Sequence, residues 1–473
     1  MTTFSSRSKI IPLVVSCAYF MENFDGTVIA TALPSMARSF STSAPATSIG
    51  ITAYMLTVAM FIPPSGWLAD RYGCRTVFRG AIGLFTLASL LCALSHTLVE
   101  FTAARALQGI GGAMMVPVGR LIVLRATDRA EYMRAMAWVT MPGVVGQMAG
   151  PVVGGFFATY LGWRWIFYIN LPMGLLGMLL VSFLIDNRRG FDLARFDWRG
   201  ACMVGAAAGC LVCGLSFATS QQGAMRALPL LACGILAGVS ALRHLRSNVG
   251  GVLDLRLFAL PTFARAASGN MLFRASASGF SFLLPLVLQI GLGMSAFASG
   301  LLVLASSLGA FLMKAYAPPV LRRFGFRGVL LYNGIVCAAS MFTCALFGLD
   351  TPRWTMGAIL FVGGFARSLQ FAALNTVVYA DVEPQRMSAA TSFASMLQPL
   401  ASACGITASA VVLRVVGGAA AHAGLPLFGL RITLLGVSAL ALCAAWPFLG
   451  MAQTAGSAMS GRREALSRPA ETR

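Results

Sequence analysis

Charge is scarce in this chain, and negative charge is scarcest. Of 473 residues, 15 are Asp or Glu and 35 are Lys or Arg, so charged residues make up 11%, against roughly 25% in a soluble domain. That shortage excludes an ordinary water-exposed fold. The phosphate-cradling pattern G-x-x-x-x-G-K-[ST] is absent, which excludes ATP as an energy source bound in that way. There are 3 His (His96, His244, His422), all near expected loops and none spaced for a metal, and there is no Asp-rich diphosphate-binding run. A membrane enzyme therefore has little to work with, and neither a metal nor a cofactor is expected. The 11 cysteines sit mostly in apolar runs, where they pack as small apolar residues. Cys210-Leu-Val-Cys213 has redox spacing but lies in an Ala/Gly-rich run without His or charge, which reads as packing. Only Lys9 and Lys314 are lysine among the basic residues, a codon-bias effect of a GC-rich genome.

What is present is apolar surface. Hydrophobic residues make up 58% of the chain and mean hydropathy is +0.78. Runs of about 20 apolar residues, each long enough to cross a bilayer, recur along the whole length. Fourteen spans are expected, at about 10–33, 49–69, 77–95, 98–121, 136–160, 164–185, 200–218, 226–244, 264–290, 295–317, 328–348, 354–379, 389–413 and 427–450. Residues 7–20 imitate a signal peptide, but the apolar run continues to Pro34 and contains Glu22 and Asp25. An uncleaved first span fits better.

The net charge of +20 is unevenly placed. With both termini cytoplasmic, about 23 of the basic residues fall in inside loops and tails, about 6 near outside loops and about 6 within spans. The inside set includes Arg71, Arg75, Arg125, Arg129, Arg188, Arg189, Arg243, Arg322, Arg323 and Arg327. This asymmetry fixes the orientation, and it makes anionic lipid the partner of the basic surface in place of nucleic acid.

The chain repeats itself. LADRYGCR at 68–75 corresponds to VLRRFGFR at 320–327, with Arg71, Gly73 and Arg75 aligned on Arg323, Gly325 and Arg327. Each stretch joins the second and third span of a six-span unit. The expected organisation is an N-terminal half at 1–185, two extra spans with charged linkers at 186–262, a C-terminal half at 263–450 and a polar, basic tail at 451–473. Repeats of this kind place a substrate at their interface near the midplane.

Four places carry chemistry. In Gly66-Trp-Leu-Ala-Asp70-Arg71-Tyr-Gly73-Cys74-Arg75 a span ends in a tight basic turn. There Gly73 permits positive φ, and Asp70 can accept hydrogen bonds from a helix N-terminus or from Arg71 and Arg75. In the second copy Arg322 replaces the Asp. In span 1, Glu22 and Asp25 are three apart and share a face. A carboxylate at membrane depth is costly, and desolvation beside a like charge favours its protonated form; such a group can carry a proton, although pairing purely for structure is the alternative. In span 4, Arg105-Ala-Leu-Gln108-Gly109 puts a permanent cation several residues from the span end, too deep for snorkelling, so it requires an anion or water. Arg367-Ser-Leu-Gln370 in span 12 is similar, but Arg105 to Met133 is 28 residues and Arg367 to Met387 is 20, which argues against a true second copy. Arg367 is still a candidate cavity residue, whereas Arg120, Arg265, Arg274 and Lys314 lie nearer span ends or at undefined depth, and snorkelling explains most of them. In span 5, GQMAGPVVGG at 146–155 sets Gly146, Gly150 and Gly154 four apart, beside Pro151 and Gly155. On a helix these glycines form a smooth ridge that admits a neighbour at backbone distance.

These motifs resemble those of the major facilitator superfamily, and the spans resemble its 14-span drug:proton antiporter branch. GxxxGPxxGG matches the antiporter signature of the fifth span. The Gly, Asp, Arg, Gly and Arg spacing at 66–75 matches the loop 2–3 motif, where Cys74 departs from the usual basic residue. RxxQGxGxA matches the span 4 motif. FDGTVIATALP is similar to the span 1 signature at Asp25, Thr27 and Pro34, with Ala30 where Asn is frequent. Trp163–Pro172, Asp197-Trp198-Arg199-Gly200 and Leu253–Phe258, as physics interface anchors, fit the same branch. The resemblance implies an all-α integral membrane protein with the major facilitator fold, two six-helix halves plus two inserted central helices. It implies proton-coupled efflux of small amphipathic or toxic compounds, with Asp25, Glu22, Arg105, Gln108 and Arg367 at the coupling and substrate site and the 66–75 loop as a gating latch. A bacterial inner-membrane location and a periplasmic adaptor of a tripartite pump go with it. The alternatives are a carrier of one specific metabolite and a non-transporting, transporter-like receptor.

Overall fold

The computed structural model describes residues 6–127, 132–187, 197–218, 224–247, 255–383, 386–422 and 426–452. Arg129, Arg188, Arg189, Leu253, Asp254 and nearly all of the 451–473 tail lie outside the described residues. The described chain is helical throughout and contains no strand. The long helices are α1 (Ser6–Ser39), α2 (Ile49–Tyr72), α3 (Cys74–Leu94), α4 (Leu98–Ala126), α5 (Tyr132–Phe156), α6 (Asn170–Leu184), α7 (Trp198–Ala218), α8 (Ala224–Ser247), α9 (Pro261–Leu286), α10 (Ala296–Gly328), α11 (Gly334–Ala345), α12 (Arg353–Val377), α13 (Met387–His422) and α14 (Pro426–Cys443).

Local chemistry sets several boundaries. Thr97 and Glu100 form a reciprocal capping box at the start of α4, which satisfies amide groups that lipid could not. Pro261 opens α9, where its missing N–H costs nothing. Gly73 separates α2 from α3 with φ 92, and Gly325 breaks α10 with φ 72. The two repeated loops thus use the left-handed region at the same aligned glycine, where a Cβ would be strained.

Among the described residues, twelve segments are long and apolar enough to cross a membrane, not the expected fourteen. Ala296–Ala345 counts once in that set although the chain bends at Gly325 within it. α1 is not in the set, because Glu22, Asn23 and Asp25 lower the hydropathy of its middle. The chain is a multi-pass membrane protein.

The chain divides into two compact units, Met1–Val252 with Gly293–Leu301, and Leu253–Leu292 with Leu302–Arg473. In the first, α1 packs chiefly on α5, and α4 packs on α2 and α3. Its core joins Val15 and Tyr19 of α1, Phe78 and Phe85 of α3, and Val118 of α4, all buried. Leu175, Leu176, Leu179 and Phe183 of α6 stay exposed, as expected of a side that meets lipid tails. Helices α7 and α8 pack on one another, and α7 on α2. In the second unit, α9 packs on α13 and α14, and α11 on α12 and α14.

Candidate functional site

The deepest polar cluster of the first unit joins α1, α3, α4 and α6. Asp25 is 0% exposed and Arg105 is 1% exposed, so the two charges depend on each other for compensation. Arg105 Nη1 donates to Asp25 Oδ2 at 2.7 Å. The same nitrogen donates to Gln108 Oε1, one turn along α4. Gln108 Nε2 donates to Asp25 Oδ1 at 3.0 Å and to Ser89 Oγ at 2.8 Å. Asn170 Nδ2 reaches Ser89 Oγ at 3.4 Å. The Tyr54 ring lies under the guanidinium, 4.2 Å from Arg105 Cζ. Removing one partner of a buried pair like this costs about 3–5 kcal/mol, because the other is stranded.

Glu22 and Asp25 share a face of α1 but not an environment. Asp25 is fully enclosed, whereas Glu22 is half-buried and lies within electrostatic range of Asp25 and Arg120. Among the described residues, the buried atoms Glu22 Oε2, Tyr54 Oη and Arg105 Nε have no hydrogen-bond partner. A proton or polar ligand that entered here would find open valences. Gly26, on the same side of α1, is exposed, with nothing within 4 Å of where a Cβ would stand.

The glycine ridge of α5 faces α1. A Cβ on Gly146 would come 2.8 Å from the Phe20 carbonyl oxygen, one on Gly150 would overlap Thr27 Oγ1, and one on Gly154 would overlap the Val28 carbonyl. Gly143, which the four-residue spacing did not single out, extends the contact to Tyr19 and Asn23. Gly155 points elsewhere, against Ala296 and Phe297 of the same unit, and Pro151 meets Gly300 there. α5 runs on as helix through Pro151.

At the loop 2–3 turn the partner of Asp70 is Arg125, at the end of α4, and not Arg71 or Arg75 as the local sequence suggests. Arg71 lies over Trp67 and Tyr72, and neither Arg71 nor Arg75 forms an ion pair among the described residues. Arg125 Nη1 also reaches Cys74 Sγ at 3.1 Å, so the residue that departs from the family's basic one accepts from the same arginine. Asn187, after α6, ties the turn from the other side, with Nδ2 donating to Thr76 Oγ1 at 3.0 Å. Gly66 is exposed on α2. In the second copy Arg323 lies over Phe324 and Arg327 donates to the Leu449 carbonyl, without an acidic partner.

Arg367 does not reproduce Arg105. It donates to Ser306 Oγ at 2.6 Å and lies over Phe280, while Gln370 pairs with Asn333 and the Leu330 carbonyl. Arg274 sits in the middle of α9, not near its end, so snorkelling does not describe it. Of the expected interface anchors, Trp163 is instead buried against Phe40, Phe101 and Phe167, with Arg164 over its ring. The indole fits an aromatic slot that no single stretch of sequence displays. Sequence reasoning also missed Ser89, Asn170, Tyr54 and Arg125. Asn170, a polar residue just inside an apolar run, was the one detectable signal among them.

A buried, hydrogen-bonded ion pair that joins two helices of an all-helical membrane protein is an arrangement that suits a secondary carrier. The Major Facilitator Superfamily model matches residues 15–406, and the chain belongs to that superfamily, a family of transporters and not enzymes. Relatives include the "Putative multidrug resistance protein MdtD" of Escherichia coli, 40% identical over 410 residues covering 85% of this chain and 86% of that protein. The protein of the same name from Pectobacterium atrosepticum is 38% identical over 414 residues, covering 85% and 86%. Among solved structures, a POT family peptide transporter aligns with TM-score 0.68 at 17% identity, covering 98% of this chain and 99% of that one. The nucleoside transporter NupG aligns with TM-score 0.66 at 15% identity, covering 94% and 99%. These two establish the fold.

Proposed function

We propose that the protein is a proton-coupled exporter of small amphipathic compounds, working by alternating access in a bacterial inner membrane with both termini cytoplasmic. The observation that carries this reading is the enclosed Asp25–Arg105–Gln108 cluster. A carboxylate held by a single permanent cation has two stable states, ion-paired or protonated. Conversion between them changes the force that ties α1 to α4, which is what links proton movement to helix movement. Glu22, half-buried on the same face of that helix, serves as a relay or substrate contact. Relatives named for multidrug resistance support efflux over uptake.

In this reading the Asp70–Arg125 pair is a one-sided latch at the cytoplasmic end, and the glycine seam between α1 and α5 keeps protons from passing uncoupled. The chain crosses fourteen times, with two six-span halves at 1–185 and 263–450 and two extra spans between. A periplasmic adaptor is compatible with this placement. Asp25→Asn tests the proposal. Protein in proteoliposomes should insert normally yet lose substrate-driven proton release. An Asn variant that still drives substrate uphill would move the proton site elsewhere, with Glu22 next.

A further inference from the structure

From Pro261 to Cys443 the helices α9 to α14 contain no Asp or Glu at all; the only acids between Leu255 and Ala452 are Asp350, Asp381 and Glu383, all outside these helices. Two arginines nevertheless lie well inside helices of this unit. Arg274 Nε donates to Asn270 Oδ1 at 2.9 Å and Nη2 to Asn375 Oδ1 at 2.8 Å, and its guanidinium lies 4.8 Å from the Phe371 ring. Arg367 donates to Ser306 Oγ and lies 4.6 Å from the Phe280 ring. The arrangement is reciprocal, because each helix of the α9–α12 pair places an arginine on a phenylalanine of the other. Phe280 lies six residues beyond Arg274 on α9, and Phe371 four residues beyond Arg367 on α12.

Among the described residues, every hydrogen bond and ring contact of these two cations is to a neutral group. Hydroxyls, amides and ring faces orient a guanidinium but do not cancel its charge, and arginine cannot shed its proton. In the first unit, by contrast, Arg105 is already neutralised by Asp25. A permanent cation kept at membrane depth without a counter-ion needs water or an anion, and an anionic ligand would supply both charge and contacts.

We infer that the α9–α12 arginine pair is an anion-recognition site, and that the exported substrates are amphipathic organic anions, a carboxylate or sulfonate on an apolar or aromatic body. Arg274 and Arg367 take the anionic group, and Phe280 and Phe371 give the body an aromatic wall. This rests on the exporter reading and narrows it. Chemistry and energetics agree. A multiply charged cation site rejects cationic compounds by repulsion, and an inside-negative membrane potential drives anions outward.

The test uses the full-length protein in proteoliposomes with two probes of matched size, 1-naphthaleneacetate and (1-naphthylmethyl)trimethylammonium. Counterflow and proton movement are followed together. Wild type should exchange the anion saturably and the cation poorly. Arg274→Gln and Arg367→Gln should each raise KM for the anion about tenfold or more, as loss of one charge-assisted bond predicts. Arg274→Lys and Arg367→Lys, which keep the charge, should recover part of the loss, and a merely structural arginine would not give that recovery. Preferential exchange of the cation, exchange of neither probe, or an unchanged anion KM in both Gln variants overturns the inference. Anion exchange without proton movement would leave the inference standing and overturn proton coupling.

Discussion

The seam between α1 and α5 offers the most exacting test of the structure. A Cβ at Gly154 would overlap the Val28 carbonyl and would lie 2.7 Å from Thr31 Oγ1 and 2.8 Å from Val28 Cγ2, where ordinary contact begins at 3.4 Å. The carbonyl is backbone and cannot rotate away, so the helices must part. The side-chain contacts alone call for about 0.7 Å, and the carbonyl for more. Overpacking of this kind costs about 1–3 kcal/mol for Gly154→Ala, and Gly154→Leu asks for more again. The damage does not stay at the seam. Asp25 lies less than one turn from Val28 on α1, and its 2.7 Å contact with Arg105 would open past the length of a charge-assisted bond if α1 shifted by that amount. Inserted Gly154→Leu protein should therefore either fail to transport or leak protons without substrate. The control is Val145→Leu, at a 52% exposed position of the same helix, which should match wild type. The assay is proton leak and coupled export in vesicles with equal amounts of each variant. Coupled export at the wild-type rate by Gly154→Leu would refute the argument that this close approach matters.

Three further outcomes are expected. Gly73→Ala forces a side chain into φ 92, against Asn187, and should cost about 1–3 kcal/mol, read as a lower melting temperature in detergent; an unchanged melting curve would contradict the strain. Asp70→Asn breaks a half-exposed pair (side chains 33% and 26% exposed), so stability should fall by less than about 1 kcal/mol while transport rate falls severalfold; equal losses in Arg71→Gln and Arg125→Gln would contradict the choice of Arg125 as the partner. A reporter active only in the periplasm should be silent after Arg473 and active near residue 222, and the reverse pattern would overturn fourteen crossings.

The class of this protein was legible in its sequence. Twenty-residue apolar runs have few solutions in lipid, because every backbone group must be satisfied within its own segment. Lys and Arg asymmetry sets the expected orientation, and the motif spacings picked out Asp25, Arg105, Gln108 and the glycine ridge before any contact was known. Local pattern is sufficient for these because membrane depth makes each polar residue conspicuous. Partnership was not legible. Asp70 stands beside Arg71 and Arg75 in sequence but pairs with Arg125, 55 residues away, because the end of α4 packs against the turn. Ser89 looks like any small residue in an apolar run and becomes a link only when α3 brings it to Gln108. Arg274 and Arg367 read separately as a snorkelling residue and a doubtful repeat; antiparallel packing of α9 and α12 sets each on the other's phenylalanine. Periodicity in one dimension reports depth and face, whereas which charges meet depends on how helices distant in sequence pack, and that was decided only in three dimensions.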